Sequence, residues 1–402
     1  MIACLILFLS ILILGVTIGR KKYETYFNPL TFELVWSFGV FHFLSAVLSI
    51  FTRDYLPLSY DDGSYIKTLL ISIYGALAFL LSYCFIPVKS ISKELKSFFS
   101  PRILKTATIR RIRILLFCLG ILSWGYLIVA TSGGFLWITN SRLAYIEHRT
   151  GSGQYYALYL WSLNASFIFL LFELKSMGVR NFILYFKYSL VYIFLLFFSG
   201  SKGAMIAPII FLLFFYDMHI NKIKSSVIIS MLFIVGSSVI LVLLSNSNDI
   251  IGVLAYFSEY FNMTAEYIYW SDEIGHLFGY GLLTDFYSML PRSIFENKPY
   301  IYGVLHIHDF ITPGQAEAGN TFGILQWTLS YLDFGVLGVI IYYALKGILE
   351  KIIFEIWLLR QTIFTYISCL VFIFWSPFPF ANIITSLIII SSIYFLLKMR
   401  LK

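Results

Sequence analysis

A chain of 402 residues that is 59% hydrophobic and 12% charged, with a mean hydropathy of +0.83, lies outside the range of water-soluble domains. Its net charge of +8 does not indicate nucleic acid, because the basic residues are spread among loops and form no stripe on a soluble domain. Cys4, Cys84, Cys118 and Cys369 all sit in apolar segments without metal-ligand spacing, so they read as small buried hydrophobes and not as a disulfide framework or a zinc site. What remains is an all-α polytopic membrane protein.

In chain order, the first apolar run (MIACLILFLSILILGVTIG) has no basic residue before it and is followed by Arg20, Lys21 and Lys22. A cleavable signal peptide has the opposite arrangement, so this run is expected to be a first span with its N-terminus outside. Apolar stretches of bilayer-crossing length then predict eleven spans, at 2–19, 30–51, 65–87, 112–131, 154–174, 181–199, 204–218, 226–244, 321–345, 362–376 and 380–397. Eight spans thus occupy residues 1–244 and three occupy 321–402, with a long loop, 245–320, between them. Of the 29 Lys and Arg residues, 21 fall on connections after odd-numbered spans or in the C-terminal tail, and Lys187 lies inside a span. The positive-inside rule therefore predicts a cytoplasmic C-terminus and an exterior long loop. The basic segment Lys89–Arg113 is then a cytoplasmic loop against anionic headgroups. There is no internal repeat and no soluble domain.

Exterior cations run against that bias, and three segments carry most of them. In NSRLAYIEHRTGSG (Asn140–Gly153), Arg142 and Arg149 are seven residues apart, which is one face of a helix. They read either as two guanidinium forks for a phosphate or as an amphipathic loop helix pairing Arg with Glu147. In FFSGSKGAM (Phe197–Met205) the apolar run has to turn, with Lys202 at the apex, giving either an anion site at a helix start or a tight hairpin. The third segment is the long loop itself.

Within that loop, Ile250–Trp270 interleaves seven aromatic residues with Glu259 and Glu266. This predicts an interfacial helix with rings at headgroup level, and such rings also stack on sugars. Gly279–Leu290 predicts a second short helix. PRSIFENKP (Pro291–Pro299) presents Arg292 and Lys298 on a proline-stiffened backbone. His306 and His308 alternate as in an extended strand, with Asp309 and Glu317 following, but their spacing specifies no third metal ligand.

SGSKG at a span start, PRSIFENKP and YLDFGVLG (Tyr331–Gly338) are the segments in which the chain resembles the O-antigen polymerases, the Wzy-type polymerases of oligosaccharide repeat units. The span number and the late outer loop match as well. Lys202 stands where that family commonly has Arg, which keeps the charge and loses the bidentate fork.

The resemblance implies a GT-C-like, metal-independent glycosyltransferase without a cofactor in the bacterial cytoplasmic (inner) membrane. It would join repeat units carried on undecaprenyl pyrophosphate into an O-antigen or capsule, with a chain-length regulator as partner and no nucleic acid. Arg142, Arg149, Lys202, Arg292 and Lys298 would stabilise the pyrophosphate leaving group. His306 or His308, with Glu317 and Asp309 behind them, would take the acceptor proton. An O-antigen ligase shares this layout and chemistry. A lipid-linked oligosaccharide flippase is expected instead to show repeated halves and short loops.

Overall fold

Hydrocarbon offers the peptide group no water, so a chain this apolar satisfies its backbone within helices. All regular elements among the described residues are helical. The computed structural model describes the chain apart from residues 54–57, 88–103, 142, 145–147, 149–152, 225, 227–249, 291–294, 315–322, 375–390 and 392–402, and apart from the side chains of 202, 250, 272, 274, 289, 372 and 374.

The main helices are α1 (Ile2–Tyr23), α2 (Pro29–Thr52), α3 (Asp62–Phe85), α4 (Thr106–Ala130), α5 (Gly153–Ser176), α6 (Phe182–Phe197), α7 (Lys202–His219), α8 (Ile250–Ile274), α9 (Leu305–Ile311), α10 (Thr328–Arg360) and α11 (Ile363–Phe374). Six of them, α1 to α5 and α10, are long and apolar enough to cross a membrane, whereas α6 and α7 are shorter apolar helices. The expected spans at 226–244 and 380–397 lie outside the described residues.

Two apolar cores share α10. One is built from α1, α2, α3, α8 and the start of α10, around Phe8, Leu34, Phe79, Phe261 and Trp327. The other joins α5, α6, α7 and α11 to the far end of α10, around Phe172, Tyr185, Phe215, Tyr366 and Trp357. Between α6 and α7 the chain turns through Phe198–Ser201, with Gly200 at φ 67°, as the Gly/Ser interruption predicts.

In α2, Asn28 caps the start by accepting from Thr31 N–H at 2.9 Å, with Pro29 in the first turn. From Glu33 to Leu44 the helix winds as a π-helix before returning to α at Ser45. So long a stretch is rare, and π winding marks functional or strained positions. Its buried residues include Glu33, Ser37 and His42.

The helix α10 differs from its sequence expectation at both ends of the argument. The span was expected to close at 345, leaving Lys346 and Lys351 in a loop, yet the helix runs on to Arg360 with both lysines buried. Charge pairing makes this possible. The Lys346 ammonium lies 2.6 Å from Glu33 Oε1 and 3.7 Å from Glu350, and Lys351 donates to the Ile86 carbonyl at 2.6 Å. The helix is also broken at Phe334–Gly335, where Gly335 takes φ 61° and ψ −151°, a backbone region open almost only to glycine.

Candidate functional site

Seven-residue spacing divides α8 into two faces. One face carries Ser258, Phe261, Asn262 and Ala265, all fully buried against α2 and α3. Polar contacts fix its register there: Thr52 and Ser258 hydroxyls lie 2.6 Å apart, the Phe261 N–H donates to Ser45 Oγ at 3.1 Å, and Tyr60 O–H donates to Asn262 Oδ1 at 2.9 Å.

The other face presents Tyr256, Met263 and Trp270 in one row and Glu259, Glu266 and Glu273 in the next, each step being two helical turns. Both rows line a cavity of about 650 Å³, closed by Leu58–Ser59 on one side and by Phe310–Thr312, at the end of α9, on the other.

The three carboxylates have different duties. Glu266 is engaged on both oxygens: Oε2 accepts from Ser59 and Tyr60 N–H at 2.8 and 2.9 Å, and Oε1 accepts from Trp270 Nε1–H at 2.8 Å. It therefore holds the cavity wall and aims the indole. Glu259 accepts from Gly323 N–H at 2.9 Å, and burial pushes its carboxyl above the usual range against that hydrogen bond. Glu273 is exposed at the far end of the row. Carboxylates alternating with ring faces suit hydroxyls and C–H faces, the two surfaces a sugar presents, and they repel anions.

A second polar group sits where the loop docks on the break in α10. Asp333 accepts from Gly281 and Leu282 N–H at 2.8 and 2.7 Å, while Leu277 and Phe278 N–H donate to the carbonyls of Leu332 and Asp333. The His276 side chain lies across Gly335, so a side chain at that position would meet its Nε2 at 3.2 Å. YLDFGVLG is thus the seat on which the loop rests.

His306 and His308 were expected on an extended strand, but both lie in α9. Ile307, Phe310 and Ile311 recur there at helical spacing, and Ile307 is fully buried. Helical winding separates the two imidazoles instead of pairing them on one face. His306 is half-buried, 5.5 Å from the Tyr280 ring, and burial lowers its pKa against the pull of Asp333 and Asp309. The His308 imidazole is 1% exposed, and burial pushes it down to about 4. Neither imidazole lines the 650 Å³ cavity.

Lys298 is 8% exposed; its ammonium donates to the Leu290 carbonyl at 3.1 Å and lies 4.6 Å from the Tyr302 ring, so it ties the loop to itself. Lys202 opens α7, its side chain outside the description, and Arg142, Arg149, Arg292 and Glu317 lie outside the described residues. Among the described residues no group of three His, Cys, Asp or Glu side chains is placed to hold a metal ion.

Glu259 and Glu266 were legible in the sequence as charges among aromatics. Glu273 and the seven-residue register that unites all three were readable there too, but only on the assumption of an unbroken helix. Comparison with family models, with curated proteins and with solved structures returned no match.

Proposed function

We propose that this protein polymerises oligosaccharide repeat units, carried on undecaprenyl pyrophosphate, into a surface polysaccharide at the outer face of the bacterial cytoplasmic membrane. The observation that carries this reading is the acid-and-aromatic cavity formed by α8, a helix of the long loop, with Leu58–Ser59 and the end of α9. Its chemistry suits a neutral or amino-bearing glycan and disfavours a pyrophosphate within hydrogen-bonding reach of the carboxylates. Donor recognition then divides in two: the glycan lies along α8, and the pyrophosphate is met by the exterior cations Arg142, Arg149, Lys202 and Arg292.

In the transfer, an acceptor hydroxyl oxygen bonds to the anomeric carbon of the donor sugar. The bond from that carbon to the pyrophosphate oxygen breaks, and the lipid pyrophosphate leaves as the anion. The hydroxyl proton passes to a base. We assign that role to Glu259, because it lines the cavity and its raised pKa brings it closer to the pH at which it works. Eleven spans, an exterior N-terminus, a cytoplasmic C-terminus and a metal-independent GT-C-like layout complete the proposed arrangement, with a chain-length regulator as partner.

The test is complementation of cells lacking the gene, read as a surface-glycan ladder on a gel. Glu259→Gln is expected to abolish the ladder at unchanged protein level, leaving single repeat units attached to their acceptor. A normal ladder removes the base assignment. Bare acceptor with long polymer still on carrier lipid in the deletion strain replaces polymerase by ligase. Activity lost in chelator and restored by one divalent ion overturns the metal-independent reading.

A further inference from the structure

A second cavity, of about 370 Å³, opens between α4, α5 and α6, and its charged lining is Arg110, Arg113 and Glu173. Arg110 and Arg113 stand one turn apart at the start of α4. Each uses its Nε–H on a different oxygen of Glu173, both at 2.6 Å. Two guanidiniums against one carboxylate leave a single positive charge on the cavity wall.

That side-on pairing matters, because a guanidinium has five N–H donors and the Nε–H is one of them. The Arg110 Nη2 has the Met177 sulfur as a neighbour at 4.0 Å, a weak acceptor. The terminal amino groups are the edge with which Arg grips phosphate; the Arg113 guanidinium also meets the Tyr192 hydroxyl, whereas Arg110 is half exposed and offers the larger part of that edge. Below the charge the walls are apolar: Phe117, Leu170, Leu174 and Val191, with the Tyr188 and Tyr192 rings beside them. On the cavity side of α4 and α6, Ile114, Tyr188 and Val191 are exposed. Water is a poor solvent for such a face, and acyl chains are a good one.

We infer that this cavity binds one anionic phospholipid, its phosphodiester against Arg110 and Arg113 and its acyl chains along the exposed apolar faces of α4 and α6. Charge complementarity selects the occupant. A net charge of +1 matches a monoanionic diester, whereas a zwitterionic headgroup brings a second positive charge to a wall that already has one. A free phosphate matches the charge and leaves the apolar walls uncovered. The site sits at the end of the bundle where α5 closes and α6 starts, and does not depend on the polymerase reading.

The experiment is native mass spectrometry of the purified full chain in mild detergent, titrated with phosphatidylglycerol or with phosphatidylcholine of the same chain length. Phosphatidylglycerol is expected to be retained at least ~10-fold better, the effect of about one charge-assisted hydrogen bond. Arg110→Gln should bring the two lipids to equal retention, Arg110→Lys should recover part of the preference, and Glu173→Gln should increase it. Equal retention by the unaltered protein overturns the proposal without recourse to any variant. Unchanged preference in Arg110→Gln overturns the residue assignment. Displacement of the lipid by millimolar inorganic phosphate or glycerol phosphate assigns the site to a soluble anion instead.

Discussion

Two sets of glutamate carboxylates in this molecule have opposite surroundings. Glu33 and Glu350 lie inside the bundle, within reach of the Lys346 ammonium, which is held between α2 and α10 in full burial. Glu259, Glu266 and Glu273 line an open cavity, and the first two are met by backbone N–H groups and an indole, with no ammonium or guanidinium among those hydrogen bonds. A carboxylate closed off with its cation is part of the scaffold, since neither partner has room for a ligand. A carboxylate held by N–H dipoles beside a cavity keeps lone pairs to offer. The contrast separates Glu33 and Glu350, which hold the bundle, from Glu259 and Glu273, which have oxygen lone pairs to offer the cavity, while Glu266 braces the wall between them.

The comparison breaks most visibly at Lys346. Lys346→Met leaves Glu33 buried without its cation, a change expected to cost about 3–5 kcal/mol. Thermal unfolding in detergent should show it as the largest loss of any single substitution here, and Glu33→Gln combined with Lys346→Met should recover part of that loss. A Lys346→Met protein as stable as the parent would return the pair to the category of incidental contacts.

Acid should act next, through His308. Its folded-state pKa of about 4 lies below the ordinary 6.5, so the unfolded chain binds the proton first as pH falls. Stability is thus independent of this group above pH 6.5, declines between pH 6.5 and 4, and levels off below, by up to about 3 kcal/mol. His308→Gln should flatten that part of the pH–stability curve, and an unaltered slope would assign the acid sensitivity elsewhere.

Smaller still is Glu266→Gln. The amide oxygen can serve only part of the Ser59, Tyr60 and Trp270 donor set, and a loss of about 1.5–3 kcal/mol is expected. Mobility of the Ser59–Tyr60 segment, read by hydrogen exchange, should rise with it.

Glu259→Gln sharpens the comparison from the other side. One hydrogen bond to Gly323 is retained by an amide oxygen, so stability should change by less than about 0.5 kcal/mol while polymer formation is lost. A large drop in stability with activity intact would place Glu259 among the scaffold residues.

Hydropathy placed most of the described apolar helices within a few residues, because burying apolar surface and satisfying the backbone are local demands that each segment meets alone. What escaped was set by partners far away in sequence. Lys346 looked like the end of a span because a lone lysine is expensive in hydrocarbon, and the Glu33 that neutralises it lies 313 residues earlier. His306 and His308 looked extended because H-x-H alternates, while the apolar residues around them follow helical spacing and were outvoted by the motif. Asp333 was visible only as part of a motif; that it would hold Gly281 and Leu282 depends on how the loop folds back. The three-glutamate row was present in the numbering all along, at intervals of seven, and needed only the certainty that α8 is unbroken.

The π-wound stretch of α2 has one consequence for how the segment tolerates changes of length. Glu33 and His42 are nine residues apart, which in an α-helix is two and a half turns and puts them on opposite sides. Wider π turns, with hydrogen bonds to the fifth residue, bring those nine positions close to two full turns, and both side chains are buried in the same bundle. Winding the same nine positions as an α-helix would turn His42 to the side opposite Glu33 without altering any polar side chain, whereas removing one residue as the stretch rewinds leaves the pair eight apart, about 80° from alignment. Counting, as much as chemistry, is therefore written into this part of the chain.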